Sequence, residues 1–354
     1  MQREVYVPQI RTRVRATIAA FAAALLLTLP SLSQAQEKAH PWLDADLLAA
    51  AKSEGTVVVY STTNEQEGLP LWKIFEDATG IKVLYVRASD AQILSRVIIE
   101  ARANQRSWDL SQTANIQKFP QDFLLDWEPP EARNLMPGAR DPNRKWYGAY
   151  ANYNTPAYNT TAVKREDLPA KLEDFVKHPE FAGRIAIDNT DTPWLAAVFE
   201  YYGEARAREI LGEIVTKLKP VVLDGHLAIA RAVGSGEYLI ALNNYLNLTL
   251  NVKLAQSPTD YWVVDPVTLF FGQSAIAAKA PHPNAAKLAQ NFMISREAQQ
   301  FLTRFGRLPT RPDVDTNPAG VLEPVLRAKV ITKLLDADGE RKWGKIFNEI
   351  FRPR

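Results

Sequence analysis

The stretch TVVVYSTTNEQEG, residues 56–68, opens on a run that only a buried strand accommodates. Three valines and a tyrosine carry no polar alternation, as expected of a strand covered on both faces. At Ser61, Thr62, Thr63 and Asn64 the chain turns polar, and a helical pattern follows. Ahead of it, LDADLLAAAKSEG (43–55) has a helical period and stops at Gly55, a C-terminal signal. Beyond it, EGLPLWKIFEDATG places Pro70 near a helix start and Gly80 at its end. IKVLYVRAS (81–89) reads as a second strand, DAQILSRVIIEARANQ as a helix capped by Ser89 or Asp90, and WDLSQT as a third short strand. The β-α-β-α-β alternation predicts an α/β fold with a mostly parallel sheet flanked by helices.

The middle of the chain changes character. PPEARNLMPGARDPNRKW is rich in proline and charge and reads as surface loop, and WYGAYANYNTPAYNT as extended chain. Its Tyr147, Tyr150, Tyr153 and Tyr158 suit core or hinge packing, with a minority facing a ligand. A second alternating region starts near GRIAIDNTDTPWL and continues through EARAREILGEIVTKL, PVVLD, HLAIARAVGSG and EYLIALNNYL. The chain then returns through DYWVVDPVTLFFGQSAIAAKA and ends in helical pattern, including a stretch around PVLRAKVITKLLDAD.

Composition narrows the function classes. The 354 residues are enough for two domains, and 46% hydrophobic against 23% charged suits a packed core. Arg11, Arg13 and Arg15 precede the apolar run ATIAAFAAALLLTLPSL, and SQAQ offers Ser33 and Ala35 at a cleavage site. This predicts a secretory signal peptide over residues 1–35, not a membrane anchor. Four of the 42 basic and one of the 40 acidic residues lie in it, so the rest carries 38 against 39, a net −1. Nothing there suits phosphate-driven nucleic-acid binding. With no cysteine, thiol nucleophiles and cysteine-held zinc are excluded. The four histidines, His40, His178, His226 and His282, form no HExxH pattern, and no GxSxG elbow occurs.

Ligands of open α/β sheets bind beyond the carboxyl ends of the strands. Those ends supply Ser61, Thr62 and Asn64, then Arg87, Ser89 and Asp90, then Gln112. In the second half they supply Thr190, Asp191 and Thr192 with Trp194, then Asp224 and Gly225, then Asn244 and Tyr245. Taken singly, each Ser, Thr or Asp is a helix cap, and Trp194 serves core packing as well as a pocket wall. As a set, two facing groups of neutral donors at helix N-termini suit holding a polar or anionic small molecule. No base with an orienting partner stands among them, so no catalytic residue is expected.

The order of EGTVVVYSTTN, FEDATGIKVLYVRASDAQILSRV, WYGAYANYNTPAYNT, HPEFAGRIAIDN, GEYLIALNNYL and HPNAAKLAQNFMISREAQQFLTRFGRLPTRPDV, after the leader, resembles periplasmic solute-binding proteins of ABC importers. The nearest branch is the one that includes the ferric-iron-binding proteins. The resemblance implies a type II two-lobed fold, each lobe a mostly parallel sheet flanked by helices, joined by crossing hinge strands. It places residues 36–150 and 266–354 in lobe 1 and 151–265 in lobe 2. It implies a monomer in the periplasm that binds a small solute and delivers it to an inner-membrane permease, without cofactor. The iron branch commonly has a histidine where this chain has Asn64, and adjacent tyrosines where this chain has Tyr245 and Leu246. Ferric iron needs hard anionic oxygens, which Glu65, Glu67 or Asp191 replace only in part. The expected ligand is therefore a small organic or phosphorylated anion, with Arg87 as charge partner and a ferric carrier as the alternative. A periplasmic enzyme or a sensory binding protein on the same fold is the alternative from another class.

Overall fold

The computed structural model describes residues 40–352; the expected signal peptide over 1–35 lies outside the described residues. Helix α1 (Ala45–Glu54) leads into β1 (Thr56–Ser61), α2 (Glu65–Thr79), β2 (Lys82–Arg87), α3 (Asp90–Arg102) and β3 (Leu110–Thr113). This is the alternation read from the sequence. β1 pairs in parallel with both β2 and β3. Val57 and Val59 are fully buried, which is why the opening stretch has no polar face.

Two long strands run through the centre. β4 (Tyr147–Asn159) is buried along its whole length, as is β9 (Val267–Ile276). They are antiparallel to one another, and β9 is antiparallel to β3. Between them the chain forms β5 (Ile185–Asp188), α4 (Thr192–Tyr202), α5 (Glu204–Leu218), β6 (Val221–Leu223), α6 (His226–Ser235), β7 (Ile240–Tyr245), α7 (Leu246–Leu254) and β8 (Thr259–Tyr261). β5 lies parallel to β6 and β7, while β7 is antiparallel to β4. The sheet order is β2-β1-β3-β9-β4-β7-β5-β6. Two parallel blocks are thus joined by two central strands, giving two α/β lobes.

Each lobe has its own core. In the first, Trp42, Trp72, Phe75 and Phe292 gather with ring centroids 4.8–5.9 Å apart. Phe292 comes from α8 (Pro283–Met293), which is followed by α9 (Arg296–Leu302). In the second lobe Ile185, Ile187, Leu195, Ile210, Ile214 and Trp262 form the core, with Phe175 stacked on Trp262 at 5.9 Å.

Three expectations change on folding. The loop 129–146 is not all surface, because Ala132, Leu135 and Ala139 are buried in the first lobe. The stretch around PVLRAKVITKLLDAD gives only α10 (Glu323–Leu326), and then β10 (Val330–Thr332). Its β-branched residues pair in parallel with Val267–Leu269 of β9. A longer terminal helix, α11 (Ala337–Phe351), starts after it and buries Phe347 and Phe351 among second-lobe residues. The terminal helix therefore packs on the second lobe, whereas the resemblance carried all of 266–354 to the first. Among the described residues no helix is long and apolar enough to cross a membrane.

Candidate solute-binding cleft

The carboxyl ends of β1, β3, β5 and β7 converge on the two central strands. On the first-lobe side, Ser61 is fully buried; its hydroxyl donates to Gln112 Oε1 at 2.9 Å and accepts from the Thr63 amide at 3.0 Å. Thr62 is half-buried and Asn64 exposed at the start of α2, whose N-terminus no side chain caps. Ser89 caps α3 in a reciprocal box with Gln92. Asp90 accepts from the Thr113 hydroxyl and from the Ala114 amide at 3.1 Å. Arg87 is exposed at the end of β2. These placements keep Ser61, Thr62, Asn64 and Gln112 at one rim.

Behind that rim lies an ion pair that sequence reasoning missed. Arg307 Nε donates to Glu67 at 2.8 Å, and its guanidinium sits 4.5 Å above the Tyr150 ring. Burial works against this cation, but Tyr150 and Glu67 outweigh it and hold its pKa above the ordinary value. Tyr150 leans over Gly272, where a Cβ would overlap its ring. Tyr85 donates to the Thr63 carbonyl at 2.6 Å, across Gly68.

On the second-lobe side, Asp191 is fully buried at the start of α4. It accepts from the Trp194 amide at 3.4 Å and from Asn154 Nδ2. Burial, reinforced by Asp188, pushes its carboxyl pKa well up and favours the neutral form. Asp188 is saturated by the Thr190 amide and Gly225 amide, each at 2.7 Å, and by the Thr190 hydroxyl. Thr190 is itself exposed and committed to this turn. Thr192 donates to Glu340 of α11 at 2.5 Å, and Glu340 also pairs with Lys118 of the first lobe at 3.0 Å. Trp194 is buried in the second-lobe core and also lines a small hollow beside Asn154 and Pro156.

Tyr245 ends β7 opposite Asn154. Its ring stacks on His226 at 3.6 Å and meets Phe270 edge-on at 4.9 Å. Burial raises its phenol pKa strongly, and the charges of Asp191, Asp188, Asp90 and Glu340 add to that. Asp90 comes from the first lobe, so this phenol lies where the two lobes face each other. Burial pushes His226 down to about 4, leaving it neutral. Its Nε2 is 3.5 Å from Asp188, but without hydrogen-bond alignment, so both ring nitrogens stay unpartnered.

Several buried polar atoms at the strand ends have no partner, as do Trp72 Nε1 and Gln290 Oε1 in the first lobe. Thr63 Oγ1, Ser111 Oγ, Gln112 Nε2 and Gln273 Nε2 are buried without a partner on one side, and Asn154 Oδ1, Asn244 Oδ1 and His226 on the other. Natural interiors satisfy nearly all such atoms. Elsewhere, hollows of about 560 Å³ beside Trp108 and about 950 Å³ beside Pro312 are lined by no unpartnered buried side-chain atom. Among the described residues no group of three His, Asp or Glu is placed to hold a metal ion.

Residues 115–329, more than half of the chain, match the family described as bacterial extracellular solute-binding protein. The chain belongs to that family. Solved structures give the fold of this solute-binding protein the same reading. It is similar to iron-bound HitA from Pseudomonas aeruginosa, with TM-score 0.67 and 22% identity over 82% of this chain and 99% of that one. It is similar to AfuA from Actinobacillus pleuropneumoniae with bound fructose-6-phosphate, at TM-score 0.68 and 18% identity over 85% and 99%. A substrate-binding protein of an ABC transporter from Agrobacterium tumefaciens gives TM-score 0.70 and 16% identity over 85% and 97%. The expected type II periplasmic-binding fold is thus the fold of this solute-binding protein.

Proposed function

We propose that this chain is the periplasmic substrate-binding component of an ABC importer. It captures a small solute with an organic or phosphorylated anionic group between its lobes and delivers it to an inner-membrane permease. It acts as a monomer and without catalysis. The lobe boundaries fall near 150 and 266, with the terminal helix carried on the second lobe.

The carrying observation is the facing sets of unpartnered buried polar atoms on both sides of β4 and β9. A solute that satisfies both sets gains its hydrogen bonds only when both lobes reach it, and that difference in affinity drives closure. The N-termini of α2 and α7 carry no side-chain cap and offer free amides to an anionic group. AfuA, with its sugar phosphate, supports this class of ligand. HitA, with its iron, raises the alternative, but Asn64 is an amide and Leu246 apolar. The remaining phenol of Tyr245 is held protonated first by burial and then by its acidic surroundings, which opposes ferric ligation.

The test is native mass spectrometry of protein purified from the periplasm without refolding, to identify the retained solute. Calorimetry with that solute follows on Thr62→Ala and Asn244→Ala. Each lost hydrogen bond to a charged ligand costs on the order of 1.5–3 kcal/mol, about tenfold or more in affinity. Small-angle scattering should show the radius of gyration falling on binding. If mutations on only one lobe matter and the radius stays constant, the two-lobed clamp is the wrong mechanism. Turnover of the retained compound would replace transport by an enzymatic reading.

A further inference from the structure

We propose that the second-lobe wall of the cleft is a receptor for a protonated amine, so that the solute carries an ammonium group received by Asp191, Glu340 and the side-chain oxygen of Asn154. The inference rests on the clamp reading and names a second charge on its ligand.

Two of the unpartnered atoms on this wall, Asn154 Oδ1 and Asn244 Oδ1, are acceptors, while neutral His226 presents one donor and one acceptor nitrogen. Asn154 is 2% exposed; its amide nitrogen is spent on Asp191, leaving Oδ1 without a donor. Asn244 is fully buried; its nitrogen donates to Thr249 at 2.8 Å, and its Oδ1, beside the His226 ring, has no aligned donor. A phosphate or carboxylate has only acceptor oxygens and satisfies neither. An ammonium has three donors and no acceptor, which is the complement of these two oxygens.

Charge points the same way. Burial comes first in raising the Tyr245 phenol, and the titratable groups that add to it are Asp191, Asp188, Asp90 and Glu340, all acids. Asp188 is consumed by its turn, whereas Asp191 has a long bond to the Trp194 amide and one amide side chain, with no cation. Glu340 is paired with Lys118 from the opposite lobe at 3.0 Å. His226, from α6, is neutral and adds no charge. A buried carboxylate without a cation is costly and stays protonated. An arriving ammonium converts it to a paired anion, and the displaced proton leaves to solvent. The facing groups that set this exchange are Asp188 on β5, His226 on α6, Tyr245 on β7, Asp90 on α3, and Glu340 with Lys118.

The experiment is calorimetry at pH 7 with three probes: ethyl phosphate, 2-aminoethyl phosphate and 1,4-diaminobutane. The amine is expected to improve affinity at least tenfold over ethyl phosphate. Repeating the titration in buffers of different ionisation heat should reveal proton release. Asp191→Asn keeps a side-chain oxygen for the helix cap, and Glu340→Gln keeps one for Thr192; each should bring the ratio of the two phosphates towards one. If both phosphates bind equally well to the wild type, the amine receptor is overturned and the clamp survives. If the diamine binds and ethyl phosphate does not, the receptor stands and the anionic half of the proposed function fails. Binding of none of the three overturns the receptor, as does an amine preference that persists in Asp191→Asn.

Discussion

On the first-lobe wall, the buried cation Arg307 meets Glu67 at 2.8 Å and covers the Tyr150 ring. On the second-lobe wall, the buried acid Asp191 meets an asparagine and a backbone amide. Both walls place ionisable groups where strands end, yet one wall settles its charge internally and the other does not. A wall with matched charges is a fixed surface. A wall with an unmatched acid and unfilled acceptors has its electrostatics completed by what binds.

That contrast can be broken most directly at Glu67. Glu67→Ala leaves Arg307 buried without its partner, and loss of about 3–5 kcal/mol of folding stability is expected in urea denaturation. Asp191→Asn should by comparison be nearly neutral or stabilising in the empty protein, because it removes no ion pair. If both substitutions cost the same, the two walls are not different in kind.

The next effect is a pH dependence on the second-lobe side. His226 is lowered to about 4 in the folded protein, mainly by burial, from an ordinary value of 6.5. Between those values the unfolded chain binds the proton and the folded chain does not, so stability falls as pH falls from 6.5 to 4. The span corresponds to about 3 kcal/mol. The raised pKa of Asp191 acts in the opposite sense, because the folded state holds its proton at higher pH. His226→Gln isolates the histidine: the wild-type minus variant difference should slope only in that window. A flat difference curve would show that the imidazole is solvated.

A smaller effect sharpens the picture of the first wall. Gly272→Ala sets a methyl against the Tyr150 ring, and Tyr150 is trapped under Arg307. Destabilisation of about 1–3 kcal/mol is expected, measured by thermal unfolding. Gly212→Ala has open space around its Cβ and should cost nothing or stabilise slightly. The smallest expected signal is none at all: ferric citrate should give no visible charge-transfer band. A band that Tyr245→Phe abolishes would restore the iron alternative.

Much of the fold was legible because its signals are local. Gly55 and Gly80 end helices in the left-handed conformation, and Val57 and Val59 mark a strand buried on both faces. The helix 204–218 follows its sequence pattern over its whole length. The placement of Ser61, Asn64 and Gln112 at strand ends was readable from the alternation of strand and helix signals. Their energetic setting was not. Glu67 and Arg307 lie 240 positions apart, and Thr192 and Glu340 lie 148 apart, so no local pattern joins them. His226 directly follows Asp224 and Gly225, both noted at a helix start, but its neutrality depends on being buried against Tyr245. Trp194 was read as core packing or pocket wall, and it packs in the second-lobe core while lining a small hollow beside Asn154.

The terminal segment gives the molecule a third tether. β10 is stitched to β9, and only residues 333–336 separate it from α11, which is seated on the second lobe. Two crossing strands side by side act like a strip of ribbon, which bends easily and also twists about its length. A third attachment set off from that strip resists the twist and leaves the bend. Closure of this protein should therefore resemble a book shutting on its spine, bringing the same residues face to face each time, and cutting the chain after Thr332 should let the covers shear.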